Sequence, residues 1–179
     1  MKIGMVYGST TGNTRDAARA IRAQLEGYVD EIFDVEGLEL AKLTEFDVLL
    51  VGIPTWDIGE LQESWDQCIE KLDDLSFDGK QVAFFGDGDQ CSYPFNFQDA
   101  MGILRDRFVA RGATADIGHW PTDEYDYQES RAIVDGMFCG LPLDDLYQPE
   151  QTEERIQIWV EQILEELGIT ESQEEAQGG

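Results

Sequence analysis

Apolar residues along the chain gather into short runs separated by stretches with helical periodicity. Ile3–Tyr7, Ile32–Val35, Val48–Ile53, Val82–Phe85 and Ala113–Ile117 read as strands. Several are apolar throughout rather than alternating, so both faces of their sheet must be covered. Ala17, Ala18, Ile21 and Leu25 form one helical stripe, and Trp65, Cys68, Ile69 and Leu72 form a second at i, i+3, i+4, i+7 spacing. Met101, Leu104 and Phe108 mark a third. The clearest stripe is Ile156, Trp159, Val160, Ile163, Leu164 and Leu167, with Glu153 and Glu154 in its first turn and Gly168 at its end. Strand and helix alternate from end to end, which predicts an α/β fold: a doubly wound parallel sheet with right-handed crossovers and helices on both faces. The segment from Trp120 to Arg131 interrupts the fifth strand, which resumes within Ala132–Leu141.

Open sheets of this kind bind ligands beyond the carboxyl ends of their strands, so the loops leaving those ends matter most. The first, Gly8-Ser9-Thr10-Thr11-Gly12-Asn13-Thr14, empties a strand into a helix N-terminus, where amides, hydroxyls and the helix dipole together favour an anion. It contains no Lys or Arg, and its second glycine comes too early for the phosphate loop of ATPases and kinases. The second, Pro54 to Gln62, and the third, Gly86 to Gln98, each offer an aromatic, Trp56 and Tyr93. Two such aromatics beside an anion pocket point to a flat ring held between them with a phosphate tail in the first loop; singly, each could equally cap the sheet edge.

The length of 179 residues suits one domain, 1–169, followed by an acidic tail, 170–179, expected to be disordered. No stretch approaches the roughly 20 apolar residues of a membrane span, and no basic, apolar leader opens the chain, so a cytoplasmic protein without membrane insertion is expected. Cys68, Cys91 and Cys139 form neither a redox pair nor a disulfide framework, and all three are expected to pack as inert side chains, with oxidation of Cys91 the alternative. The formal net charge of −26 repels nucleic acid and anionic lipid and would steer the protein onto a basic protein partner, or serve tolerance of salt. Gly86-x-Gly88 lacks the third glycine of a dinucleotide fingerprint, and the acidic start at Asp87 and Asp89 lacks the glycine and glutamate of a calcium loop. His119 is the only histidine, so no Ser-His-Asp or histidine-based metal site can form, and a packing or turn role is expected.

Taken together, the loop Gly8–Thr14, the segments Pro54–Gln62 and Phe85–Gln90, Tyr93 with Asn96–Ala100, and the inserted Gly118–Asp123 with Tyr125-Asp126 resemble a flavodoxin of the long-chain type, most similar to those of cyanobacteria and algae. The likeness runs from Lys2 to Leu167. It implies a five-stranded sheet of order 2-1-3-4-5 and a non-covalently bound FMN. Ser9, Thr10, Thr11, Gly12, Asn13 and Thr14 would cradle the phosphate. Trp56 and Tyr93 would flank the isoalloxazine, backbone groups of Asp87, Gly88 and Asp89 would bind its pyrimidine edge, and Thr55, Asp57, Ile58, Gly59, Asn96 and Gln98 would complete the ring site. Asp145, or Asp144, would reach the ribityl chain.

The resemblance also implies a one-electron carrier rather than an enzyme, working between the semiquinone and hydroquinone of FMN. A peptide flip at Asp57, eased by Gly59, would aim a carbonyl at flavin N5. One carboxylate about 12 Å from an anionic flavin, at an effective dielectric of about 20, opposes it by roughly 1.4 kcal/mol, or roughly 60 mV for one electron. Asp87 stands where the family often has a neutral hydroxyl residue and Asp57 where Asn is frequent, so both should make the lower couple more negative. Cys91, Ser92 and Phe95 also depart from the usual pattern. The implied partners are basic redox proteins: photosystem I as donor and ferredoxin-NADP reductase as acceptor in place of ferredoxin, with nitrogenase or pyruvate oxidoreductase as others, served by a monomer. The rival readings are an FMN-dependent quinone or NAD(P)H reductase and a flavin-free signalling module. The Trp120–Arg131 insertion is either a docking surface or a folding element.

Overall fold

The computed structural model describes residues 1–169; the tail expected to be disordered lies outside the described residues. Five parallel strands form the central sheet: β1 (Ile3–Tyr7), β2 (Val29–Asp34), β3 (Val48–Gly52), β4 (Gln81–Asp87) and β5 (Gly140–Leu143), in the order β2-β1-β3-β4-β5. Four helices flank it: α1 (Asn13–Gln24), the one-turn α2 (Glu63–Asp66), α3 (Asp99–Ala110) and α4 (Thr152–Glu166). α1 and α4 pack together on one face, and α3 lies beside the 3-10 turn Ile69–Asp74 on the other. The chain therefore reverses its winding between β1 and β3.

Every residue of β1, β3 and β5 is buried, because each contributes side chains to both helical layers. β2 begins at Val29, three residues before its apolar run. It is an edge strand whose first half carries the exposed Asp30 and the half-buried Glu31, so only Ile32 and Phe33 show as an apolar run. The stripe Trp65 to Leu72 does not make one helix. Cys68 sits at φ −125°, between α2 and the 3-10 turn, and the Trp65 indole N–H donates to the carbonyl of Gly52 at 3.0 Å, pinning the short helix to the sheet.

The fifth strand is divided more widely than Trp120–Arg131. Ala113–Ile117 forms no strand; only Thr114 bridges to Gln81, and the chain returns to the sheet edge at Gly140. The residues between fold back on the domain. Trp120 pairs with Phe138, a hairpin joins Ile133–Val134 to Met137–Phe138, and Tyr125, Tyr127 and Phe138 pack around Phe97 with ring centroids 5.2–5.8 Å apart. The Tyr125 hydroxyl donates to the Pro142 carbonyl at 2.6 Å, and the Arg155 guanidinium lies 4.3 Å from the centre of its ring. The aromatic residues that favoured a docking surface are thus turned inward, as a folding element requires. His119 holds the turn before Trp120 through its Nε2, 2.9 Å from the carbonyl of Ala115.

Candidate functional site

Loops from the carboxyl ends of four neighbouring strands surround a cavity of about 290 Å³. The loop after β1 contributes Ser9, Thr10, Thr11, Asn13 and Thr14; the loop after β3 contributes Pro54, Thr55, Trp56 and Asp57. The end of β4 and the loop after it contribute Asp87, Gly88, Asp89 and Tyr93, and the loop after β5 contributes Leu146. A larger groove of about 710 Å³ runs between α1 and the edge strand β2, away from all four loops.

The first loop is shaped to leave donors free. Gly12 is the residue before α1 and adopts φ 99°, a left-handed conformation that glycine takes at no steric cost, and no side chain among the described residues caps the helix. The amides of the first helical turn are therefore open to the cavity end. Ser9 Oγ accepts the Gly12 N–H at 3.1 Å and shapes the turn. Thr14 is buried, and its hydroxyl has no hydrogen-bond partner among the described residues. A buried hydroxyl beside free amides fits an anionic group, phosphate in particular, better than it fits an empty turn.

The second loop is a tight hairpin in which Thr55-Trp56 pairs with Glu60-Leu61. Its three-residue turn places Asp57 at φ 42° and Gly59 at φ 77°, with Ile58 72% exposed at the tip. The Thr55 hydroxyl accepts the Ala100 N–H at 3.1 Å, which anchors the hairpin on α3. Trp56 has a buried indole N–H without a partner among the described residues. Across the cavity the Tyr93 hydroxyl donates to Asp57 at 3.3 Å, and the Asp57 charge raises the Tyr93 pKa above its ordinary value. The two aromatic loops are thereby joined at the mouth.

Six expected contact residues do not line the cavity. Gly12 and Gly59 shape turns. Ile58 points outward. Gln98 is buried beneath the site, donating its side-chain amide to the carbonyls of Gly86 and Leu143 at 3.1 and 3.2 Å. Asn96 donates to Asp99 at 3.1 Å. Asp145 accepts the Thr152 hydroxyl at 2.6 Å. Asp144, the alternative, is fully buried and accepts four donors: the Gln90 N–H, the Gln90 side-chain amide, and the N–H groups of Leu146 and Tyr147. Cys91 is exposed rather than packed.

Three features escaped the sequence reading. Leu146, 66% exposed, lines the cavity from a loop with no glycine or hydroxyl signature, whose aromatic, Tyr147, lies outside the lining. Gln62 caps α2 by accepting the Trp65 N–H and donates to Thr10 at 3.2 Å, tying the second loop to the first. Gln90 joins Asp144 to the insertion by accepting the Asp126 N–H at 2.7 Å. Glutamine is not a favoured helix cap, so Gln62 carried no local signal, and the long-range contacts of Leu146 and Gln90 carried none either.

A family model described as flavodoxin matches residues 5–159. The chain belongs to the flavodoxin family. Flavodoxins are electron-transfer proteins rather than enzymes. The chain is 47% identical over 169 residues to a flavodoxin of Picosynechococcus sp., covering 94% of this chain and 99% of that one, and 44% identical over 169 residues to flavodoxin 1 of Escherichia coli, covering 94% and 96%. Among solved structures, a Fusobacterium nucleatum flavodoxin bound to flavin mononucleotide superposes with TM-score 0.85 at 30% identity over 92% of this chain and 98% of that one. No helix among the described residues of this flavodoxin is long and apolar enough to cross a membrane.

Proposed function

We propose that this flavodoxin carries single electrons at low potential in FMN held without a covalent bond in the four-loop cavity. The observation that carries the reading is the first loop: free helix-terminal amides and the unpartnered buried Thr14 hydroxyl form a neutral phosphate site directly beside Trp56 and Tyr93. When bound, FMN supplies the one-electron chemistry. The protein's residues bind and orient it: Ser9–Thr14 hold the phosphate, Trp56 and Tyr93 flank the ring, and Asp57, at the turn of the hairpin, sets the peptide next to it. Asp57, Asp87 and Asp89 surround the ring with carboxylates and no cation lines the cavity, so added negative charge is resisted and the more reducing step lies low. The partners are basic redox proteins, photosystem I and ferredoxin-NADP reductase, with nitrogenase or pyruvate oxidoreductase as further candidates, met by a cytoplasmic monomer.

Purified apoprotein titrated with FMN and reduced stepwise under a visible spectrum tests this. One equivalent of tightly bound flavin and two separated one-electron steps are expected; a protein that stays colourless overturns the reading. Steady oxidation of NAD(P)H by the loaded protein alone would instead establish a reductase.

A further inference from the structure

Among the described residues, Asp87 is the one carboxylate of the cavity that binds two further loops at once. Its Oδ2 accepts the Asn13 side-chain amide at 3.3 Å, and its Oδ1 accepts the Asp145 N–H at 3.0 Å. It therefore connects the phosphate-type loop after β1 with the loop after β5, while its own side lines the cavity. The charged and titratable groups around it are Asp144 and Asp145 from the β5 loop, Asp89 and Tyr93 from its own loop, and Asp57 on the opposite wall. The cation of the first turn of α1, Arg15, pairs with Asp16 at 3.4 Å. Burial foremost, and then the charges of Asp145 and Asp144, push the Asp87 carboxyl up to about 7 against the pull of its two hydrogen bonds. A group poised there changes protonation when the charge beside it changes.

We infer that Asp87 is a proton-binding group of this cavity, taking up a proton when negative charge enters and releasing it when that charge leaves. The inference rests on the FMN reading above. In the reducing direction one electron from a reductant such as dithionite enters the bound cofactor, one proton leaves water, and one O–H bond forms on Asp87; reoxidation reverses all three. The hydrogen-bond geometry supplies the mechanical counterpart. Once Oδ2 carries the proton it becomes a donor, so Asn13 must turn its amide to accept with its own oxygen. The Asn13 amino group is then released towards the loop that would hold the phosphate. A hydroxyl residue at this place would titrate with nothing, and the lower potential would lose this dependence on pH.

The test is equilibrium potentiometry of the more reducing step in FMN-loaded full-length protein, between about pH 6.5 and 9, for wild type and Asp87→Asn. In wild type the reduction equilibrium should weaken up to tenfold per pH unit, 59 mV for one electron, and in Asp87→Asn the slope should be less than half as steep. An unchanged slope in the loaded variant overturns the inference and leaves the FMN reading intact. A chain that takes up no FMN overturns both. Asp87→Thr serves as a second variant should the asparagine disturb folding. In wild type, ¹³C-aspartate NMR provides a readout without mutation: the Asp87 titration midpoint should rise severalfold in proton affinity when FMN binds to the apoprotein, and equal midpoints refute the coupling.

Discussion

Thr14 places a hydroxyl in a buried position at the start of α1 where the described residues offer it no partner. An unsatisfied buried donor costs about 1–3 kcal/mol, and a bound phosphate would remove that cost. Thr14→Val should therefore act with opposite signs on the two states. The apoprotein is expected to gain about 1 kcal/mol in urea unfolding, while FMN binding measured by fluorescence quenching weakens about tenfold, the equivalent of about 1.4 kcal/mol. Equal losses in both measurements would place the hydroxyl in the packing and not in the ligand site. Asp87 makes a second prediction at this scale. Its folded-state pKa lies above the ordinary carboxyl value, so its contribution to stability is fully present in acid and is lost as pH rises through about 7. Asp87→Asn apoprotein should be more stable than wild type at pH 8.5, by on the order of 2 kcal/mol after allowance for its partial exposure. The difference should disappear near pH 4.

The elements divide into those that announce themselves and those that depend on distant contacts. β1, β3, β4, α1, α3 and α4 were legible because burial on both faces, or on one helical stripe, is written into the local order of residues. The edge elements were not. β2 shows only half its length, and the second pass of the fifth strand depends on a partner, Phe84–Asp87 of β4, more than fifty residues earlier. Within the site, the loops at Ser9 and Trp56 were legible from glycine, hydroxyl and aromatic content. Gln98, Asn96 and Asp145 sit among similar residues yet bond to the scaffold, a choice made by geometry alone. The insertion meets the domain at one tight place. Gly102 in the middle of α3 lies under the backbone of Arg131, and a Cβ there would overlap the Arg131 carbonyl; one turn earlier, Asp99 accepts the Arg131 N–H at 2.7 Å. Gly102→Ala, which in an open helix would stabilise, should here cost about 1–3 kcal/mol, because backbone cannot move aside as a side chain can. A stabilised Gly102→Ala in thermal unfolding would show that the insertion is free to shift.

For the molecule as a whole, the position of charge matters more than its total. Acidic residues outnumber basic ones 38 to 12. Several of the cations stand at the end of the sheet away from the cavity: Lys2 and Lys80 just before β1 and β4, Lys42 in the turn before β3, and Arg107 and Arg111 at the end of α3. Lys2 and Lys42 share Glu31 and Glu45, and Arg107 pairs with Asp73 at 2.7 Å, so these cations neutralise their own end. The cavity end keeps Asp57, Asp87 and Asp89 without a cation in the lining. Such a distribution would turn the cavity mouth towards any basic partner before contact, an effect that weakens as salt screens it, with a Debye length of about 10 Å at 0.1 M. Two charge reversals of equal size separate this orientation from net charge. Glu60→Lys stands on the cavity hairpin and Asp74→Lys at the far end; both residues are exposed, and each change makes the net charge less negative by two. In stopped-flow electron transfer from the reduced, FMN-loaded protein to a basic acceptor such as cytochrome c at low salt, Glu60→Lys should slow association severalfold and Asp74→Lys should leave it nearly unchanged. The gap between them should close as salt is raised. Equal slowing by both would mean that the partner responds to total charge alone, and the cavity end would then have no privileged part in docking.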